Sequence, residues 1–274
     1  MKNLIFLSHI HEEKDLAVLV QKAIEDEFSG FVKVFVSSDG STIPAGANFL
    51  KRIEDGLIEC IVGIYLISPK SVKRNWINFE LGAVWIRNVL NQRNGSQELP
   101  IIPFCHSGIT PSELPMPLTH LNAIEAKNSA HLEFTFKSIQ TAVGGSGNLK
   151  TDFEKLAQNI INFQNSYTLG NSLISLFNTL EYPKQSLLTT IQKCKEEQEK
   201  GKTVIELDFI IERDIFYKIN NIVSENLQNN VIVIDKGIRI FVTNQKSING
   251  NAVILKIRIG LILNFETELL AEIG

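Results

Sequence analysis

Between residues 4 and 143, short apolar runs alternate with stretches of helical periodicity. No other feature of the 274-residue chain limits its fold as much. Residues 4–7 are apolar and bounded by polar neighbours, the pattern of a strand buried on both faces. Over residues 15–28, Leu16, Leu19, Val20, Ala23, Ile24 and Phe28 recur at helical spacing, and Gly30 follows as a stop. Residues 32–36 read as a second strand, 37–48 as a loop rich in Ser, Gly and Pro, and Leu50, Ile53, Leu57 and Cys60 as a helix. Residues 61–67 make a third strand, and a helix runs through Trp76, Phe79, Ala83, Val84 and Leu90. Residues 99–104 and 121–126 give a fourth and a fifth strand, and a helix over 129–143 closes the unit. Such alternation builds a parallel sheet covered by helices on both faces. Ligands of open α/β sheets bind beyond the carboxyl ends of the strands. Here those ends are Ser8-His9, Ser37-Ser38-Asp39 and Ser68-Pro69.

Gly144-Gly145-Ser146-Gly147 is the sharpest change of composition, and it sets domains at 1–143 and 148–274 with a linker at 144–147. The second part reads as a smaller α+β domain. Phe153, Leu156, Ile160 and Phe163 suggest one helix, Leu173 to Leu180 a second, and Leu187 to Cys194 a third. Ile205, Leu207, Phe209 and Ile211 alternate with acidic residues, as in a half-buried strand. Ile215 to Val223 fits an amphipathic helix. Residues 231–234 and 238–243 flank Asp235-Lys236-Gly237, which predicts a hairpin, and 252–263 a last strand with Lys256 and Arg258 on one side.

Composition removes several functions. Apolar residues are 44% and charged residues 21%, so most of the chain is expected to fold. A net charge of −3 argues against a broad nucleic-acid-binding face. The three cysteines, Cys60, Cys105 and Cys194, are odd in number and widely spaced, with no CxxC pair. They imply no disulfide framework and no zinc site, and suit a reducing compartment. The histidines make no HExxH pattern, so no metal is expected. No apolar run reaches the ~20 residues of a membrane span, and the first residues lack a signal-peptide core. The expectation is a soluble cytoplasmic protein with no membrane or nucleic-acid partner. No GxGxxG or GxxxxGK[ST] loop is present, so neither a dinucleotide Rossmann site nor a P-loop is expected.

The strongest chemical signal is Asn75-Trp76-Ile77-Asn78-Phe79-Glu80-Leu81. On a helix, Trp76 and Glu80 lie one turn apart on a shared face. A carboxylate beside Trp76 and Phe79 is open to partial desolvation, which prepares it for chemistry. The competing reading is a solvated Glu next to a core Trp. Ser8 and His9 suit either nucleotide binding or a plain strand terminus. Phe35, Ser38 and Asp39 lead into a loop that Gly40 and Gly46 would let close over a substrate. Trp76 fits either ring stacking or the core, and Trp85 the core or an assembly contact. Arg87 and Arg93 read as a solvated face, and His106 follows the fourth strand.

Taken in order, Phe6-Leu7-Ser8-His9, the loop with Ile43-Pro44-Ala45-Gly46, Leu66-Ile67-Ser68 and Trp76-Ile77-Asn78-Phe79-Glu80 resemble the Toll/interleukin-1 receptor (TIR) domain family, in particular its bacterial NAD-hydrolysing members. The resemblance covers residues 1–143. It implies a flavodoxin-like parallel five-stranded sheet and cleavage of the nicotinamide–ribose bond of NAD+, with NAD+ as substrate and no cofactor. Glu80 matches the family's catalytic glutamate. Ser8, His9, Phe35, Ser38, Asp39, Ser68 and Trp76 are the implied substrate-binding set, and Ile43, Pro44 and Gly46 the loop and assembly set. Attack by water would give ADP-ribose, and attack from within the bound molecule a cyclic product. The resemblance also implies self-association with other TIR domains and a link to antiphage defence. It says nothing about residues 148–274, whose expected role is to control the enzyme by binding an unknown ligand or partner or by oligomerising. A non-catalytic TIR–TIR adaptor stays open beside the enzyme, as does, more remotely, a nucleoside deoxyribosyltransferase-like enzyme. A phospho-receiver would want an acidic pair where Ser8-His9 stand.

Overall fold

A computed structural model of the chain describes residues 3–37, 49–243 and 246–273. By its contacts the chain divides into two compact units, 1–165 and 166–274.

The first unit follows the alternation read from the sequence. It runs β1 (Asn3–Ser8), α1 (Lys14–Glu27), β2 (Val32–Val36), α2 (Phe49–Glu59), β3 (Val62–Ile67), α3 (Asn75–Arg93), β4 (Ile101–Cys105), β5 (Ile124–Glu125) and α4 (Ser129–Ala142). The five strands are parallel in the order β2-β1-β3-β4-β5. That order places the topological switch between β1 and β3, where open α/β sheets bind ligands. Strand β3 is buried at every position, which explains its unbroken apolar sequence. The fifth strand is shorter than its apolar run suggests. A 3-10 turn at Leu118–His120 takes up part of the approach, and only Ile124 and Glu125 pair with β4.

Strand alternation sorts the core into two layers. Ile5, Leu7, Ile64 and Leu66 join α1 and α4 in one cluster, while Phe6, Tyr65 and Ile67 face α2 and α3 in the others. Each fully buried aliphatic or aromatic side chain contributes roughly 1.5–3 kcal/mol. On the second face, Phe35 stacks on Phe6, with ring centroids 5.7 Å apart. Gly56 of α2 sits over that pair, and a Cβ there would meet Phe35 at 3.0 Å and Phe6 at 3.2 Å. Arg87 is not a solvated face. Its guanidinium donates to the Leu57 carbonyl at 2.9 Å and the Cys60 carbonyl at 2.6 Å, closing the C-terminal end of α2 onto α3.

The glycine-rich segment 144–147 lies inside the first unit. The chain continues through Leu149 and Phe153, and Leu156, Ala157 and Ile160 enter the same core as α1 and α4. The backbone amides of Lys150 and Thr151 donate to the Glu27 carboxylate. The two helices predicted around Phe163 and Leu173 are one, α5 (Phe153–Thr179), and the compact units divide within it. No proline interrupts residues 153–179.

The second unit is α+β. It adds α6 (Lys184–Glu199), β6 (Val204–Ile211), α7 (Arg213–Ile222), β7 (Val231–Thr243), β8 (Lys246–Arg258), α8 (Ile259–Asn264) and α9 (Glu266–Glu272). Its three strands are antiparallel in the order β6-β8-β7. Two expectations are corrected here. Asp235-Lys236-Gly237 is not a hairpin turn: β7 passes through it with a register shift, Asp235 opposing Val253 and Ile238 opposing Asn251. Gly237, at φ 87°, supplies the left-handed residue of this bulge. The run 252–263 is not all strand, because the chain turns helical at Ile259. The core gathers Leu173, Phe177, Leu187, Ile191, Val253, Leu255, Ile257 and Ile262. Gly170 lets the Phe265 ring pack close against α5, since a Cβ there would come within 2.7 Å of it.

Among the described residues no helix is long and apolar enough to cross a membrane. Cys60, Cys105 and Cys194 are buried and free, and burial pushes the Cys105 thiol up to about 12 and that of Cys194 to about 11.

Candidate active site

Side chains on the α2/α3 face of the sheet converge where β1 and β2 end. Ser8 is the last residue of β1, and Ser37 follows β2. In-register pairing of Leu7 with Val36 sets the two serines side by side, and the Ser37 amide donates to the Leu7 carbonyl at 3.0 Å. Above them, α3 carries Glu80, which is fully buried. The Ser8 hydroxyl donates to Glu80 Oε2, and the Ser37 hydroxyl bonds the same carboxylate. One helical turn back, the Trp76 indole donates from Nε1 to Glu80 Oε1 at 2.9 Å.

Among the described residues, the groups bonded to this carboxylate are three neutral donors and no cation. Burial dominates and pushes the Glu80 carboxyl from 4.5 up to about 7, against the lowering by Ser8, Trp76 and Ser37. From β3, the hydroxyl of Tyr65 is buried with no hydrogen-bond partner among the described residues. Burial, reinforced by the charges of Glu80 and Cys60, raises that phenol well above its usual range.

Trp76 is not core. It is 42% exposed and stacks on Phe79, itself 53% exposed, with centroids 5.1 Å apart. The indole thus points its N–H at Glu80 and presents ring surface to solvent. Trp85, at 51% exposure, is not core either.

A second buried cluster lies at the ends of β1, β3 and β4. Glu13 ends a 3-10 turn after β1 and is fully buried. Its carboxylate accepts the Ile10 amide at 3.2 Å and the Ser68 hydroxyl at 2.6 Å, and approaches His106 Nε2 at 3.2 Å. Of the substrate-binding set read from the sequence, then, Ser8 and Trp76 meet Glu80. Phe35 lies one row behind, in the Phe6 stack, and His9 is buried beside Ser8 in the chain. Ser68 bonds Glu13 instead. Ser38, Asp39, Gly40, Ile43, Pro44 and Gly46 lie outside the described residues. Sequence reading left Ser37 and Tyr65 out of the binding set and missed Glu13. Ser37 was legible as the polar residue ending β2 in register with Ser8. Glu13 was hidden in an acidic run that reads as a solvated helix start.

A family model described as a TIR domain matches residues 5–139. Residues 5–139 are a TIR domain. The TIR domain is 34% identical over 110 residues to a 2′ cyclic ADP-D-ribose synthase, BtTIR, of Bacteroides thetaiotaomicron. That alignment covers 40% of this chain and 34% of the relative, so the chain spans about a third of that protein's length. Among solved structures, a metazoan TIR-STING receptor from C. gigas in complex with 2′,3′-cGAMP aligns over 98% of this chain and 78% of its own. Identity there is 18% and the TM-score 0.37, too low to carry an inference to this chain.

Proposed function

We propose that the TIR domain cleaves the nicotinamide–ribose bond of NAD+, with Glu80 as the catalytic carboxylate. The observation that carries this reading is a buried carboxyl at the ligand-binding edge of the sheet, held among the described residues by the neutral donors Ser8, Ser37 and Trp76. As the C–N bond breaks, its electron pair leaves with nicotinamide and positive charge builds on the ribose. A fixed carboxylate in a dry site stabilises that charge far more than it would in water. The three donors orient the carboxylate without neutralising it. Trp76 offers an aromatic surface next to Glu80 on which a ring can stack.

The second product depends on what attacks the ribosyl cation. Water gives ADP-ribose, and a hydroxyl of the same molecule gives a cyclic product lighter than ADP-ribose by one water. Similarity to a 2′ cyclic ADP-D-ribose synthase supports the cyclic route. The deoxyribosyltransferase alternative loses its ground now that residues 5–139 match the TIR model.

Association belongs to this proposal. Trp76, Phe79, Ile86 and Leu90 form an exposed apolar stripe on α3, opposite its buried Ile77, Leu81 and Val84. We assign this stripe to contact between TIR domains, and to the second unit a controlling role through a ligand or partner. Nicotinamide release from NAD+, with mass analysis of the second product, tests the activity. Glu80→Gln is expected to lose it by ~100-fold or more. Equal release by both proteins would refute the assignment and favour a non-catalytic adaptor.

A further inference from the structure

The Glu13 cluster lies apart from Glu80, yet it grips both segments that carry the site. Glu13 accepts the amide of Ile10, two residues beyond Ser8. Through Ser68 it holds the turn that launches α3. The Ser68 hydroxyl donates to Glu13 at 2.6 Å and accepts the Ser71 amide at 3.1 Å. The Ser71 hydroxyl accepts the Ser68 amide at 2.7 Å, and the Ser71 carbonyl accepts the amide of Arg74, the N-cap of α3, at 2.9 Å. Next door, Glu12 pairs with Lys70 at 2.5 Å and approaches Arg74 at 3.9 Å. From β4, His106 closes on Glu13, and the His106 amide donates to the Ile67 carbonyl at 2.8 Å. Glu13, Ser68 and Ser71 are fully buried, and His106 is nearly so. Such a network costs desolvation unless every member is bonded, and once satisfied it fixes geometry tightly.

The geometry points to Glu13 as a positioning residue that fixes the end of β1 against the start of α3, and so fixes Ser8 against Glu80. It touches no substrate. The inference rests on Glu80 being the working carboxylate, as proposed above. Loosening Glu13 lets Ser8 drift from Glu80. That weakens a bond favouring the charged form of Glu80 and misplaces the carboxylate relative to substrate. Glu13→Gln keeps the volume but replaces one acceptor oxygen with a donor, so Ile10 and Ser68 compete for what remains.

The test uses the full chain in a Trp85→Phe background, where Trp76 is the sole tryptophan. Trp76 emission is followed with pH, and kcat and KM are measured well below the melting temperature. Among the described residues, the other titratable groups here are Tyr65 and Cys60 on the Glu80 side and His106 beside Glu13, with His9 buried next to Ser8 in the chain. Glu80→Gln identifies which inflection belongs to Glu80. In Glu13→Gln that inflection is expected to rise by ~1 pH unit. At the same time kcat should fall about tenfold with KM within about twofold. Ser68→Ala, which removes one bond to Glu13 together with the acceptor of the Ser71 amide, is expected to move both readings in the same direction. An unmoved Glu80 inflection in folded Glu13→Gln and Ser68→Ala overturns the inference. A wild type that releases no nicotinamide would instead fail the proposed activity, and the emission titration would still decide the role of Glu13.

Discussion

At the scale of single residues, Glu80 is costly to keep. Its carboxyl rises from 4.5 to about 7 on folding, so the folded chain binds the extra proton between those values. Stability therefore declines as pH rises from about 4.5 through about 7, and the full penalty, about 3 kcal/mol, is present above that range. Glu80→Gln removes the charge and keeps the shape. At pH 8 it is expected to melt about 5 °C higher than wild type, with the gap closing near pH 5. A thermal melt at both values checks this. Activity moves the other way with pH, because the ionised carboxylate stabilises the ribosyl cation and the rate should climb through pH about 7. Trp76→Phe leaves a ring but deletes the donor at 2.9 Å, so its acid limb should lie higher than that of wild type in a pH–rate profile. Trp76, Glu80 and Ser8 were each legible from the sequence, because strand ends and i,i+4 helical pairs are local patterns. That Ser8 and Trp76 bond one carboxylate depends on how α3 lies across the sheet, which no local pattern encodes.

Among the elements, α2, α5 and β7 teach most. Helix α2 rests on the Phe6–Phe35 stack only because Gly56 lacks a Cβ. Gly56→Ala is expected to cost about 1–3 kcal/mol by overpacking, measurable in denaturant unfolding. For α5, the apolar positions up to Phe163 and those from Leu173 onward read as two separate helices. The helix continues because neither Pro nor a cap stops it, and because Gly170 has a packing reason in Phe265. Strand β7 shows why Asp-Lys-Gly misleads: a left-handed glycine serves a bulge as readily as a turn, and only pairing with β8 separates them. Glycine composition likewise pointed to 144–147 as a border, while Leu156 and Ile160 carry the core of the first unit further. A chain ending at 165 should therefore melt well above one ending at 147. Equal melting temperatures would show that the first turns of α5 add nothing to that core.

For the whole molecule, the two units invite a division of labour between chemistry and control. The exposed stripe on α3 begins at Trp76, whose indole bonds Glu80, so association along it would bear directly on the site. Ile86→Glu, 58% exposed in wild type and away from Glu80, is expected to spare the fold yet abolish any rise of specific activity with protein concentration. Sedimentation of the variant beside wild type reads the same effect as loss of the associated species. The measurement closest to the central claim is nicotinamide release from NAD+ by the full chain and by Glu80→Gln, across protein concentration and from pH 5 to pH 9. The account predicts release by wild type that rises through pH about 7 and falls by ~100-fold or more in the variant. Release that is equal in the two proteins, or that shows no dependence on pH through that range, would contradict it.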